Sequence, residues 1–299
     1  MPDEFDVIRW VREQPPLGGG TGFVVVPPGD DLAVLKWPAD DLLLVGCDQV
    51  LDGIHFDSST ASPRQIGQKV MNRNLSDCAA MACLPAAAVV TVALPRGAGA
   101  DYAKELYLGL REAADPFDCP IVGGDTASWD GKLVMTVSIL GRSAGVAPVT
   151  RNGARPGDGI YVTGPLGGSI LGRHLTFEPR VTLARQIVPS MGPSAMIDLS
   201  DGLSRDLRHI CEESQVGAVI DAAAVPIHDD ALMLMQRDGI SPLEHALHDG
   251  EDYELLLTAK PRKAFLVTWI GTIVEEPGVW LQTEGAREPL EPRGWEYKL

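Results

Sequence analysis

Short apolar runs alternate along this chain with longer segments of helical character, and this alternation is the feature that most restricts the fold. The mixture predicts an α/β or α+β fold rather than an all-β fold. The runs that predict strands are 23–26, 32–35, 42–47, 88–94, 133–140, 159–163, 195–198, 218–221 and 253–258. The segments that predict helices are 62–82, 100–114, 180–188, 203–214 and 229–238. The first helix has a favourable start, because Ser62 can cap it and Pro63 fits its first position.

A stretch rich in turn formers predicts a domain boundary. Residues 141–156 contain three glycines, two prolines, one serine and one asparagine, which favour turns over regular structure. The chain has 299 residues, enough for two domains of ordinary size. We therefore expect an N-terminal domain at 1–145 and a C-terminal domain at 146–299.

Composition excludes several classes of protein. Hydrophobic residues make up 45% of the chain, which supports a packed core. The net charge of −16 disfavours binding to nucleic acid or to anionic membranes, but it does not repel a nucleotide that already carries magnesium. Five cysteines without a Cys-x-x-Cys pair support neither a disulfide framework nor a zinc site. A basic leader and an apolar run of membrane-spanning length are both missing, so we expect a cytoplasmic protein.

Sequence motifs of three enzyme classes are absent. The chain has no Gly-x-x-x-x-Gly-Lys-Ser/Thr, no Gly-x-Ser-x-Gly and no His-Glu-x-x-His. P-loop enzymes, serine hydrolases of the nucleophile-elbow type and zinc proteases of the His-Glu-x-x-His type are therefore disfavoured.

Aspartates recur where a strand or loop is predicted to end, several of them beside glycine or a small polar residue. They are Asp30, Asp31, Asp48, Asp77, Asp125, Asp198 and Asp201. Magnesium prefers hard oxygen ligands and usually binds through carboxylates together with substrate phosphates. This pattern suggests a metal-assisted phosphoryl-transfer site to which distant parts of the chain contribute.

Several of these aspartates also have a simpler structural explanation. Asp125 could lie in a Gly-Gly-Asp hairpin turn, and Asp77 could form an i,i+4 ion pair with Arg73. Ser200 or Asp201 could cap the following helix. Capping does not explain Asp198, which ends an apolar run two or three residues earlier. The segment around Asp198 is therefore the strongest local signal.

Taken in order, these segments resemble the thiamine-monophosphate kinase family, which is grouped with aminoimidazole ribonucleotide synthetase. The resemblance extends from about residue 29 to 258. The motifs that carry it include Asp-x-x-x-x-Gly-x-His-Phe at 48–56, Gly-Gly-Asp-Thr at 123–126, Asp-x-Ser-Asp-Gly-Leu at 198–203 and Gly-Glu-Asp-Tyr-Glu-Leu at 250–255.

The resemblance implies both a fold and a set of site residues. The fold has two α/β domains, with the N-terminal domains paired through a β-barrel in a homodimer. Several magnesium ions would be held by Asp30, Asp48, Asp77, Asp125, Asp198 and Asp201. ATP would contact Tyr107, Gly124, Asp125, Arg151 and Ser200, and thiamine monophosphate would contact His55, Glu251 and an aromatic residue near the C-terminus, Trp295 or Tyr297.

The segment around Asp48 differs from the usual family pattern. The family has Ser-Thr before this aspartate and Thr after it, whereas this chain has Gly46-Cys47 and Gln49. A soft thiol is a poor magnesium ligand. Any metal contact at Cys47 would therefore use its backbone carbonyl.

The implied reaction is direct in-line transfer of a phosphoryl group from ATP to thiamine monophosphate, which gives thiamine diphosphate. Two alternatives stay open at this point. One is a non-catalytic or weakly active protein that binds a nucleotide or a thiamine phosphate, and the changes around Asp48 motivate it. The other is a different ATP-using member of the same superfamily.

Overall fold

The computed structural model describes residues 10, 13–14, 23–26, 34–262 and 265–294. The predicted site residues Asp30 and Trp295 lie outside these ranges, as do Asp31 and Tyr297. The chain divides into two compact units. The first ends at Gly145 and the second starts at Val146, except that Ala79–Ala82 groups with the second unit. The predicted mixture of helices and strands is confirmed.

The first unit is built on a four-stranded sheet. Its strands are β3 (Leu43–Leu51), β4 (Leu84–Pro95), β5 (Ile121–Trp129) and β6 (Val134–Arg142), in the order β3-β6-β4-β5. Strands β4 and β5 are parallel, and the other two pairs are antiparallel. Two shorter strands, β1 (Val24–Val26) and β2 (Val34–Leu35), form a separate antiparallel pair. Strands β3 and β5 are therefore the two edges of the larger sheet.

Burial alternates along the strands of this sheet. Met135, Val137 and Ile139 of β6 are buried, whereas the residues between them are partly exposed. One face is therefore covered and the other is open, as the two-residue period of a strand requires. Helix α1 (Pro63–Ala80) lies on the covered side, because its Asp77 carboxylate approaches Gly46 of β3.

Local chemistry explains how α1 begins. The Gln65 backbone N–H donates to Ser62 Oγ at 3.3 Å, and the Gln65 side chain accepts from the Ser62 backbone N–H at 3.0 Å. This reciprocal pair is a capping box. The predicted start of the helix at Ser62-Pro63 is confirmed.

Helices α1 and α2 (Ala100–Ala114) cross with their backbones in contact. A Cβ atom at Gly67 would overlap the carbonyl oxygen of Leu106, and one at Gly109 would overlap that of Arg64. Only glycine permits so short a distance between the two helices, because the atoms that a Cβ would meet belong to the rigid backbone of the facing helix.

We expect Gly109→Ala to lower the free energy of unfolding by about 3 kcal/mol, since the helices must move apart and leave packing defects. Urea denaturation of purified protein measures this. Gly285→Ala is the control, because a Cβ atom there would meet nothing within 4 Å. Similar unfolding free energies for the two variants would contradict the description of the crossing.

The second unit contains a seven-stranded sheet. The strands are β7 (Gly159–Val162), β8 (Ala195–Asp198), β9 (Gly217–Asp221), β10 (Leu255–Ala259), β11 (Thr268–Val274), β12 (Gly278–Gln282) and β13 (Arg287–Pro289). Their order in the sheet is β13-β12-β9-β11-β7-β10-β8. Only β9 and β12 pair in parallel among these described strands. Strands β11 to β13 were not predicted from the sequence.

Five α-helices accompany this sheet. They are α3 (Arg173–Thr176), α4 (Val181–Met191), α5 (Leu203–Ser214), α6 (Asp229–Asp238) and α7 (Pro242–His248). Apolar residues of α5, among them Leu207 and Ile210, pack in one buried cluster with Ile197 of β8 and Leu256 of β10. This packing fixes the start of α5 beside the end of β8. In the part of the chain that the structure describes, no helix combines the length and the apolar character needed to cross a membrane.

Candidate metal and phosphate site

Asp48 lies within strand β3, not at its end. The strand continues to Leu51, so the predicted strand end at residue 47 is wrong. The Arg73 Nε donates to Asp48 Oδ2 at 3.1 Å, which places the Asp48 carboxylate on the side of the sheet that carries α1. Asp77 of α1 approaches the same strand, with its Oδ2 3.7 Å from the Cβ position of Gly46. Two of the predicted metal ligands therefore meet the same side of one strand.

Gly124 and Asp125 lie inside strand β5, so the hairpin turn considered for this segment is wrong. Asp125 pairs with Thr91 of β4, Thr91 with Thr136 of β6, and Thr136 with Gln49 of β3. Asp125 therefore lies at the opposite edge of the sheet from Asp48, about 14 Å from β3 at ordinary strand spacing. Within one copy of this unit, Asp48 and Asp125 cannot hold the same cation.

Three other predicted residues of the first unit have defined surroundings. Cys47 is exposed on the open face, where the Ser138 hydroxyl donates to its sulfur at 3.4 Å. His55 is buried, and its Nδ1 accepts from the Leu51 backbone N–H at 3.1 Å, so the exposed loop histidine considered as an alternative is wrong. Tyr107 packs edge-on against Trp10, with ring centroids 5.7 Å apart, and burial raises its pKa.

In the second unit, the end of β8 and the start of α5 bring acidic groups together. Strand β8 ends at Asp198, as predicted, and the Asp198 side chain is buried. Helix α5 begins at Leu203. Its N-cap residue is Gly202, which has no side chain that could cap the helix. Instead, Asp206 Oδ2 accepts from the backbone N–H groups of Asp201 and Gly202, each at 3.1 Å. The N-cap position is therefore Gly202, and not Ser200 or Asp201 as the capping explanation considered for this segment requires.

This region includes a set of possible metal ligands that the sequence reasoning missed in part. One ligand atom each from Asp201, Asp206 and His209 lies within 4.8 Å of the others. Asp206 and His209 are three residues apart and so share one face of α5, which was the signal available in the sequence. Burial, followed by the charges of Asp201 and Asp198, raises the pKa of Asp206 well above its usual range. A bound cation would relieve this repulsion.

The loop that contains Glu251 packs directly on the turn after β8. The Glu251 N–H donates to the Ser200 carbonyl oxygen and the Tyr253 N–H to that of Leu199, each at 2.8 Å. Gly250 permits this approach, because it has a φ of +74° and a Cβ atom there would come within 2.7 Å of the Ser200 oxygen. The structure therefore brings the predicted residues Asp198, Ser200, Asp201 and Glu251 into one neighbourhood.

Arg151 lies elsewhere in the second unit. Its carbonyl oxygen accepts from the Ser214 hydroxyl at 3.2 Å, at the C-terminal end of α5. Ser200 precedes the N-terminal end of the same helix, which has 12 residues and so spans about 18 Å. The main chain of Arg151 is therefore distant from the turn after β8.

The donor chemistry of these two groups of residues fits magnesium. Asp48 and Asp77 in the first unit, and Asp198 and Asp201 in the second, offer only carboxylate oxygens, which hard divalent cations prefer. His209, which lies close to Asp201, differs from these residues because it offers a nitrogen ligand.

A buried histidine, His245, contacts Asp249 just before Glu251. His245 Nδ1 is 3.0 Å from Asp249, and its Nε2 is 3.4 Å from Asp238. Asp249 in turn accepts from the Gly168 backbone N–H at 2.9 Å. Burial lowers the pKa of His245, but Asp249 and Asp238 outweigh this effect and raise the pKa above its ordinary value.

This pKa predicts how stability depends on pH. Because the folded-state pKa is raised, the contribution of His245 is complete below its unfolded pKa of about 6.5 and is lost as pH rises through the folded value. We expect the difference in melting temperature between wild type and His245→Gln to shrink as pH rises from about 6 to about 9. Comparing the two proteins removes the contributions of other titrating groups. A difference that stays constant or grows would contradict the assignment.

Comparisons with known proteins place the chain in a family. Residues 29–143 match the profile described as AIR synthase related protein, N-terminal domain. Thiamine-monophosphate kinase from Rhodopirellula baltica is 40% identical over 289 residues, which cover 91% of each chain. This chain belongs to the thiamine-monophosphate kinase family.

Solved structures of thiamine-monophosphate kinases agree in fold. The crystal structure of the enzyme from Stenotrophomonas maltophilia K279a has 30% identity and a TM-score of 0.78, covering 94% of this chain and 96% of that one. A structure described as AaThiL complexed with AMPPCP and TMP has 28% identity and the same TM-score, covering 98% and 96%. The likeness extends through both units of the present family member.

Proposed function

We propose that this protein transfers the γ-phosphoryl group of ATP directly to the phosphate of thiamine monophosphate, giving ADP and thiamine diphosphate. The observation that carries the proposal is the likeness, over 98% of the chain, to a structure that holds AMPPCP and TMP together. AMPPCP replaces the bridging β–γ oxygen of ATP with a methylene group, so that pair represents a nucleotide donor and a phosphate acceptor.

The chemistry of this reaction suits a site made of carboxylates. The nucleophile is a phosphate oxygen, and a phosphate monoester with a second pKa of about 6 is largely deprotonated at neutral pH. A strong general base is therefore unnecessary, and the obstacle is repulsion between two anions. Magnesium, when bound, supplies charge neutralisation and alignment of the phosphates.

The roles of the chain's own residues follow from this obstacle. Asp48 and Asp77 of the first unit, and Asp198 and Asp201 of the second, would serve as ligands for magnesium. Asp30 is assigned with them. Gly124, Ser200, Arg151 and Tyr107 are assigned to ATP, and His55, Glu251 and Trp295 to the acceptor. These assignments rest on the family motifs, and the neighbourhood formed by Asp198, Ser200, Asp201 and Glu251 supports part of them.

We further propose that the first units pair in a homodimer, and the open face of the four-stranded sheet supports this. It carries exposed apolar side chains at Leu43, Val45, Val89 and Trp129, and Val45 is 68% exposed. Exposed apolar patches and open sheet edges typically mark association surfaces. Pairing β3 of one copy with β5 of the other would close the two sheets into a shared β-barrel.

The same pairing explains the separation of Asp48 from Asp125. The two residues lie on opposite edge strands, so a two-fold dimer that joins those edges brings Asp48 of one copy towards Asp125 of the other. Asp125 of one copy would then be available to the metal and ATP site of the other.

Coupled measurement of ADP release tests the activity. We expect ADP release that requires both thiamine monophosphate and magnesium and that exceeds the ATP-only background. The changed residues around Asp48 favour one rival, a protein that binds ATP or thiamine phosphates without catalysis. Tight ATP binding with no acceptor-dependent ADP release would support that rival and contradict the proposed activity.

A further inference from the structure

The backbone around Glu251 is held in an uncommon conformation. Glu251 and Tyr253 each have a φ of +52°, in the left-handed region that residues with a side chain rarely occupy. Strained backbone of this kind persists only where surrounding contacts enforce it, and it clusters at functional sites. The direction of the Glu251 side chain is therefore imposed by its neighbours.

Two consecutive residues of helix α3 hold two consecutive residues of this loop. Arg173 Nη2 donates to Asp252 Oδ1 at 3.0 Å and to the Gly167 carbonyl oxygen at 2.9 Å. His174 Nδ1 lies 3.2 Å from Glu251 Oε2. Asp252 is buried and also accepts from the Gly167 N–H at 3.0 Å. The Arg173–Asp252 contact holds the backbone of the loop in place. The His174 contact then sets the direction of the Glu251 carboxylate.

The other side of the Glu251 carboxylate is also constrained. The Tyr253 hydroxyl donates to Glu251 Oε1 at 3.4 Å. The Tyr253 ring stacks on Phe177, with centroids 3.8 Å apart and an interplanar angle of 11°. Phe177 follows α3, so the segment that carries His174 also holds Tyr253 in place.

Burial separates the roles of the two members of the His174–Glu251 pair. The His174 side chain is 8% exposed, whereas the Glu251 side chain is 23% exposed. The carboxylate can therefore be reached from outside, and the imidazole behind it is much less accessible.

We propose that His174 is a positioning residue that orients the Glu251 carboxylate towards the amino and cationic heterocyclic groups of thiamine monophosphate. This inference rests on the proposed function, in which Glu251 contacts the acceptor. His174 then governs acceptor affinity, and it has no part in phosphoryl transfer or in ATP binding.

Two substitutions at His174 separate positioning from bulk packing. Asparagine can donate a hydrogen bond from about the position of Nδ1, whereas leucine fills similar space without a donor. We expect His174→Leu to raise the KM for thiamine monophosphate about tenfold, as loss of a hydrogen bond to a charged group predicts. The kcat and the KM for ATP should change less than about twofold. His174→Asn should restore most of the acceptor affinity.

A double-substitution cycle tests whether His174 acts through Glu251. In a Glu251→Ala background, His174→Leu should leave the acceptor KM unchanged, because the group that it orients is gone. His228→Asn is the matched control, since His228 accepts a backbone hydrogen bond at the start of α6 and lies outside the assigned site. Its kinetic constants should equal those of wild type.

Three results would overturn the proposal: an unchanged acceptor KM in His174→Leu, equal losses in the leucine and asparagine variants, or an undiminished effect of His174→Leu without Glu251. Melting temperatures show whether each variant is folded, and if His174→Leu is unfolded, the cycle is run with His174→Met, which also lacks a donor. Wild-type protein that releases no acceptor-dependent ADP would refute the proposed function itself, which is a different outcome from an active wild type with an insensitive His174.

Discussion

Asp48→Asn should lower the kcat for acceptor-dependent ADP release about 100-fold or more, because an amide cannot supply the charge that a magnesium ligand provides. The fold should be nearly unaffected. Asparagine has the shape of aspartate, and the ion pair that it disrupts, between Asp48 and Arg73, is partly exposed and so contributes about 1 kcal/mol or less. Steady-state kinetics and urea denaturation measure the two quantities separately.

Asp101→Asn is the matched control for this experiment. Asp101 is fully exposed at the start of α2, where it lies 3.6 Å from Lys104 in an i,i+3 contact. It carries the same charge on the same unit but lies outside the assigned site, so its variant should keep wild-type turnover. Wild-type turnover in Asp48→Asn would contradict the assignment of Asp48 as a metal ligand.

Mixing two inactive variants should restore activity if the site is shared between copies. Asp48→Asn and Asp125→Asn should each be nearly inactive alone. When subunits exchange at random, half of the dimers are mixed, and each mixed dimer holds one site with both aspartates intact. The mixture should therefore reach about one quarter of wild-type activity per subunit. Activity after unfolding and refolding the two variants together measures this.

The appropriate control for mixing keeps every site defective. Refolding Asp48→Asn with the double variant Asp48→Asn/Asp125→Asn produces no intact site in any dimer, so activity should stay at the background level. If native mass spectrometry shows mixed dimers but the first mixture also stays at background, the two aspartates do not act together across the dimer.

Local patterns predicted much of the second unit and the helices. The helices at 100–114, 203–214 and 229–238 have the predicted bounds, because each has a clear apolar period and a turn-forming residue at its end. Strand β8 ends at Asp198 for a similar reason, since an apolar run meets a polar turn. The acidic residues around Asp198 were therefore the part of the site that sequence reasoning located best.

Other elements depended on contacts distant in sequence. Two glycines and an aspartate at 123–125 are typical of a turn, yet they lie in β5 because the parallel neighbour β4 provides backbone partners for them. Strand β11 contains a glycine and a bulge opposite β7, which obscured its period. Asp206 approaches Asp201 only through the fold of the turn before α5, so the three-residue spacing of Asp206 and His209 could not show that Asp201 joins them.

Phosphorus-31 NMR of the reaction mixture follows the transfer of a phosphoryl group from ATP to thiamine monophosphate as it happens. With wild-type protein, ATP, thiamine monophosphate and magnesium, we expect resonances of ADP and thiamine diphosphate to grow in equal amounts while the acceptor signal falls. Conversion of ATP to ADP and inorganic phosphate with the thiamine monophosphate signal unchanged, or no loss of ATP, would contradict the proposed transfer.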